Sequence, residues 1–209
     1  MDNTESTSNT EQQILEAAQE VFIEKGKDGA RMQEIADRAG INKALLHYYF
    51  RSKDKLFLTI FKTIIHKLLK QVDQYMDTDD IFEFIEKVVH SYIAVLSKNH
   101  YLPSFILNEI NRNHEGILQI IKTSDLDKSK LEKMVEKNIA EGKIIPISLE
   151  QLIVDILALC IFPIAAKPII LGYLFQGDKK AHAEFMDQRA EHIIHLMKLA
   201  LTPQNNFQS

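Results

Sequence analysis

Lys43, Ala44, His47 and Tyr48 follow one another at i, i+1, i+4 and i+5, so in a helix they share one outward face. The ammonium, imidazole and phenol are hydrogen-bond donors, suited to phosphate oxygens and to acceptors on base edges. A small Ala44 lets such a face approach its target closely. Leu46 and Phe50, four apart, point the other way and face a core. Upstream, Ile35, Ala36 and Ala39 turn inward on a short helix, Gly40 makes a tight turn, and Ile41 fills the corner. This is helix-turn-helix construction, in which the second helix enters the major groove and the first crosses the backbone. Spacing alone fits equally well any small helical bundle with an Ala-Gly corner and a Lys/Tyr surface.

Other residues that could do chemistry are poorly placed for it. There are eight histidines. His192 and His195 share a helix face, but no cysteine or carboxylate accompanies them at metal-ligand spacing, and a surface or interface role fits them better. Asp79 and Asp80 sit where a helix start favours negative charge. No glycine-rich phosphate loop, GxGxxG or Gly-x-Ser-x-Gly elbow occurs. No catalytic residue, metal site or cofactor is therefore expected. The one cysteine, Cys160, lies between Leu159 and Ile161; it reads as a buried thiol and gives no reason to expect an oxidising compartment.

The elements that must position the donor face are helical throughout. Thr10 and Gln13 form a capping box ahead of Ile14, Leu15, Ala18, Val21 and Phe22, and Gly26 is placed to end that helix in the left-handed region. A second helix fits Met32–Ala39. Asn42 caps a third to about Phe50, and Ser52 caps a long fourth with an apolar stripe from Leu56 to Val72. Asp79 or Asp80 opens the next, and Pro103 suits the first turn of a sixth. Ile117 to Ile121 and Leu126 to Ala140 continue as helix, stopped at Gly142. Ser148 with Gln151 opens an apolar helix through Cys160, which Pro163 and Pro168 kink or break. A last helix runs from about Asp178 to Leu201. The reading is all-α, about nine helices, divided into residues 8–55, residues 56–202 and a disordered tail, 203–209.

The 209 residues carry a net charge of −4, with only seven glycines and five prolines. The charge is unevenly spread: six acidic and no basic residues up to Glu24, then eight basic against four acidic from Lys25 to Lys55. That basic segment is a candidate electrostatic footprint or a solvated face. Residues Met1 to Gln13 have no apolar core of a signal peptide, so a cytoplasmic location is expected. Leu152 to Phe175 is apolar enough to suggest a membrane span. It contains Asp155, Lys167 and two prolines, and a charge at membrane depth costs roughly 2.5–3.5 kcal/mol. A buried, oligomer-forming helix is expected instead, and no membrane partner.

Residues 14–57, above all Ile35-Ala-Asp-Arg-Ala-Gly-Ile-Asn-Lys-Ala-Leu-Leu-His-Tyr-Tyr-Phe-Arg-Ser-Lys-Asp-Lys-Leu-Phe57, resemble the DNA-binding domain of the tetracycline-repressor family. The resemblance implies a homodimeric, ligand-responsive repressor on a pseudo-palindromic operator of double-stranded DNA. It implies base reading by Lys43, Ala44 and Tyr48, and phosphate contacts by Tyr49 and Lys53, with Gln33 at the backbone-contacting start of the second helix. The family's hydroxyl N-cap there is replaced by Arg31-Met32, with Arg31 supplying charge to phosphate. Leu45 stands where a hydroxyl is usual; His47 can serve a phosphate, a base or packing. The remaining helices resemble the family's variable domain in outline. They imply a small-molecule site lined by Phe61, Ile65, Tyr92, Phe105, Asn108, Glu109 and Arg112, for a hydrophobic or amphipathic effector. They also imply a four-helix dimer interface containing Leu152, Ile156, Leu159, Ile193, Ile194 and Met197. The alternative is an all-α small-molecule binding or interaction protein without DNA binding.

Overall fold

A computed structural model describes residues 2–124 and 126–203; of residues 2–8, 105, 108, 109, 112 and 113 it describes the backbone alone. The expected tail beyond Pro203 lies outside the described residues. Among those residues the fold is all-α without strands: α1 (Asp2–Gly29), α2 (Met32–Arg38), α3 (Lys43–Tyr49), α4 (Lys53–Tyr75), α5 (Ile81–Lys98), α6 (Leu102–Lys122), α7 (Lys128–Ala140), α8 (Leu149–Ala165), α9 (Lys167–Ile169), a π-helical turn (Ile170–Leu174), α10 (Lys179–Asp187) and α11 (Arg189–Leu201). The excess over nine arises near the C-terminus, where α9 and the π-helical turn follow α8, and Gln188 divides the expected last helix in two.

The N-terminal capping box does not form. Thr10 lies inside α1, because neither glycine nor proline interrupts the segment before Gly26. Gly26 does break the helix with positive φ (67°), but its ψ of 174° is extended rather than left-handed helical.

The chain forms two compact units. Met1–Lys67 with Asn99–Thr123 makes the first, and Leu68–Lys98 with Ser124–Ser209 the second. The segment 8–55 lies wholly in the first unit, which also takes in α4 to Lys67 and the whole of α6. Ile14, Ala18, Val21, Phe22, Ile35, Ala36, Leu46, Leu56 and Phe57 form its core, each large side chain contributing about 1.5–3 kcal/mol on full burial. Phe57 meets Phe22 edge-on at 4.7 Å and Tyr101 at 5.5 Å. Gln19 donates to Asn99 Oδ1 at 3.2 Å, as does the Tyr101 hydroxyl at 3.3 Å.

In the second unit α5 packs on α8 and α11, and α7 on α5 and α8. Asn138 is fully buried: its Nδ2 donates to the carbonyls of Met134 (2.8 Å) and Asp79 (3.0 Å), while Oδ1 accepts from Ile81 N. Asp80, rather than Asp79, caps α5, accepting from Phe82 N at 2.8 Å. Ser148 caps α8 through Gln151 N at 3.2 Å, but the Gln151 side chain turns to Asp155 instead of closing the box. Pro163 sits inside α8 without ending it. Having no N–H, it cannot supply the helical donor to the Leu159 carbonyl four residues back, and Arg189 Nη2 supplies one at 3.1 Å. No single described helix is long and apolar enough to cross a membrane; α8 and the segment Lys167–Leu174 reach that length only together, as a pair bent by 59°.

Candidate nucleic-acid interface

The corner between α2 and α3 is fixed by backbone geometry. Gly40 adopts φ 67°, its N–H reaches Asp37 O at 3.2 Å, and Ile41 N reaches Ala36 O at 3.0 Å. This paired closure satisfies the carbonyls at the end of α2, and the left-handed residue it needs is favoured as glycine. Asn42 Oδ1 then accepts from Leu45 N at 2.8 Å and starts α3. Leu46 and Phe50 are buried beneath the helix. Lys43, Ala44 and His47 are exposed, and Tyr48 is 79% exposed. Tyr49 is half-buried, edge-on to Tyr48 at 5.5 Å, and Leu45 is half-buried.

At the entry to α2, Arg31 occupies the N-cap position with no side-chain capping bond and is exposed, as its residue type requires. Gln33, also exposed, donates to Asp37 at 2.8 Å. Lys53 is tied down: its Nζ donates to the carbonyls of Ala30 (3.0 Å) and Asp28 (3.2 Å).

The eight basic residues are not equivalent. Arg38 makes a two-bond clamp on Glu24 (2.7 and 2.9 Å), Lys25 pairs with Glu34 at 2.6 Å, and Lys27 with Asp54 at 3.1 Å. The Arg38 hydrogen bond holds the Glu24 carboxyl below its usual range. Among the described residues Arg31, Lys43, Arg51 and Lys55 are exposed and enter no ion pair. Unneutralised positive charge therefore gathers at the start of α2, on α3 and at the α3–α4 joint. Arg51 and Lys55 were not among the sequence candidates; their signal was charge alone, which does not separate a paired residue from an unpaired one.

The other sequence candidates divide. Phe61 is buried and Ile65 half-buried in the first unit, while Tyr92 belongs to the second, where burial pushes its hydroxyl up to about 12. The side chains of Phe105, Asn108, Glu109 and Arg112 lie outside the described residues. Leu152, Ile156, Ile193, Ile194 and Met197 are buried within the single chain, and Leu159 is half-buried. The five buried residues pack within this chain's own core. The apolar side chains exposed on these C-terminal elements are Val154, Phe162, Ile169, Tyr173, Leu174, Leu196 and Leu199.

Residues 14–60 match the model of the bacterial regulatory proteins, tetR family. The transcriptional activator FasR of Mycolicibacterium smegmatis is 33% identical over 100 residues, 42% of this chain and 46% of that protein. The chain spans about half the length of the curated relatives it matches. Two solved structures share the fold. HlyIIR, a hemolysin II transcriptional regulator, is 22% identical, with 94% of this chain and 99% of that one covered at a TM-score of 0.60. FadR from Bacillus subtilis, in complex with stearoyl-CoA, is 16% identical, with 88% and 97% covered at 0.59.

Proposed function

The chain belongs to the tetR family of bacterial regulatory proteins, and from that premise we propose that it is a ligand-responsive transcriptional repressor rather than an enzyme, acting in the cytoplasm as a homodimer on a pseudo-palindromic operator. One observation carries this reading. A capped helix, held by a glycine corner and anchored by Leu46 and Phe50, presents Lys43, Ala44, His47 and Tyr48 to solvent. Lys43, Ala44 and Tyr48 read bases; Arg31, Gln33, Tyr49, Lys53, Arg51 and Lys55 serve the phosphates, and His47 contributes at either.

A two-fold dimer places two such helices about 34–36 Å apart, one DNA turn. The exposed apolar side chains of α8, the segment after it and α11 supply the dimer contact. A small amphipathic effector, bound among the larger helices, favours a state in which that spacing is lost, and linkage then requires DNA to weaken effector binding by the same factor. A relative named for fatty-acid metabolism and a neighbour holding an acyl-CoA support an apolar effector with a polar head.

The test is fluorescence anisotropy with duplexes from the DNA flanking the chain's own gene, against a shuffled duplex of equal length. Preferential, salt-sensitive binding is expected. Equal affinity for both duplexes across the salt range rejects the reading and leaves a helical binding protein without DNA specificity.

A further inference from the structure

Arg189 is a cation without a counter-charge. Among the described residues it pairs with no carboxylate; one Nη donates to the Leu159 carbonyl, the guanidinium lies 5.8 Å from the centre of the Phe185 ring, and Nε is buried with no partner. Burial pulls its pKa below the ordinary value, and the Cys160 thiol acts on it in the opposite direction. That thiol is itself pushed up to about 12 and so is neutral.

Seven residues earlier His182 is only 7% exposed, edge-on to Phe175 at 5.6 Å and near Phe185 at 6.4 Å, and its Nε2 also has no partner. Phe175 and Phe185 touch each other at 5.4 Å. His182, Phe185 and Arg189 are spaced i, i+3, i+7, one face of the α10–α11 arm. Buried polar groups are nearly always satisfied, and unmet ones in a single cluster point to an absent partner.

We propose that Arg189 and His182, with the rings of Phe175 and Phe185, form a binding site for the carboxylate of an apolar monocarboxylic acid. The guanidinium offers N–H groups in a planar fork that matches a carboxylate, and imidazole adds a further donor. A single fixed cation suits a monoanion, whereas a phosphate dianion calls for more positive charge. The aromatic walls take the apolar body. Its reading as the effector site rests on the proposed regulatory function; the binding itself does not.

The experiment uses the full chain and calorimetric titration with decanoate, decan-1-ol and inorganic phosphate. Arg189→Met alone strands the Leu159 carbonyl, so it is placed in a Pro163→Ala background, where the backbone N–H of residue 163 restores the helical donor. Decanoate is expected to bind wild type and Pro163→Ala about tenfold or more tighter than decan-1-ol, the scale of a charge-assisted contact. That preference disappears in the double variant and falls in His182→Phe, while decan-1-ol binding is unchanged. No preference in wild type, its survival in the double variant, or tighter binding of phosphate than of decanoate overturns the proposal. So does dissociation of the double variant to monomers with no acid preference in the parent, which assigns the counter-charge to a second copy. A decanoate preference that leaves DNA affinity unchanged supports the site and rejects only its role as effector site.

Discussion

Lys53, in the first turn of α4, donates through Nζ to the carbonyl of Ala30, the second residue before α2. With the further bond to Asp28 O it spans the corner between α1 and α2. An ammonium has three hydrogens, so one is left for a phosphate. Lys53→Ala is expected to do two things at once. Operator affinity falls about equally for all sequences, with the salt slope smaller by about one, and the melting temperature drops by a few degrees as the corner carbonyls lose their donor. Salt titrations and thermal melts read both effects. An unchanged slope with a lowered melting temperature would make Lys53 purely structural.

The face of α3 should determine sequence preference. Lys43→Ala and Tyr48→Ala are expected to cost about 1–3 kcal/mol on the preferred operator and to relax selection at particular base pairs. Both residues are exposed, so helicity and melting should hardly change. Ala44→Phe should abolish binding by holding α3 off the groove. Selection from randomised duplexes with each variant gives the profiles, and an unaltered profile for Lys43→Ala would put the reading helix elsewhere.

What was legible in the sequence was local. Asn42, Ser52 and Ser148 cap the helices their positions announce, and Gly40 turns the corner with positive φ. These depend on residues within one turn of each other. The clamp of Arg38 on Glu24 and the bonds of Lys53 across the α1–α2 corner join residues 14 to 25 apart, which no spacing rule foresees. Which side of α8 faces the core was illegible for another reason. From Leu149 to Ala165 nearly every position is apolar, so periodicity does not distinguish the face on the core from the face on a partner. Ile156 went inward and Val154 and Phe162 outward.

Assembly can be tested through that distinction. Phe162→Glu with Leu199→Glu is expected to give a folded monomer by light scattering, since both side chains are at least 60% exposed in the single chain. Ile193→Asp, at a fully buried position, is expected to lose helicity instead, through the cost of an unpaired buried charge. A double variant that keeps the parent's dimer mass would remove α8 and α11 from the interface.

Stability should decline in alkali through two neighbouring acids, the buried Cys160 thiol and the half-buried Tyr92 hydroxyl. Burial pushes the Cys160 thiol from 9.0 to about 12, and the Tyr92 hydroxyl from 10.0 to about 12. Both groups are therefore held in the neutral form when folded. Below the unfolded values each state binds the same protons and nothing is lost. Above them the unfolded chain releases protons that the folded chain keeps, so unfolding becomes easier as pH rises. The window opens near 9 for the thiol and near 10 for the phenol, and closes near 12 for both. For Cys160 alone this amounts to about 2 kcal/mol between roughly pH 8.5 and 10.5. Urea melts of wild type, Cys160→Ala and Tyr92→Phe over that range compare slopes rather than absolute stabilities, which removes the cavity cost of each substitution. Cys160→Ala should lose less stability than wild type from about pH 9 upward, and Tyr92→Phe from about pH 10. Parallel curves for wild type and Cys160→Ala would mean that the thiol ionises as readily in the folded chain as in the unfolded one, and that the interior around Arg189 is wetter than its packing indicates.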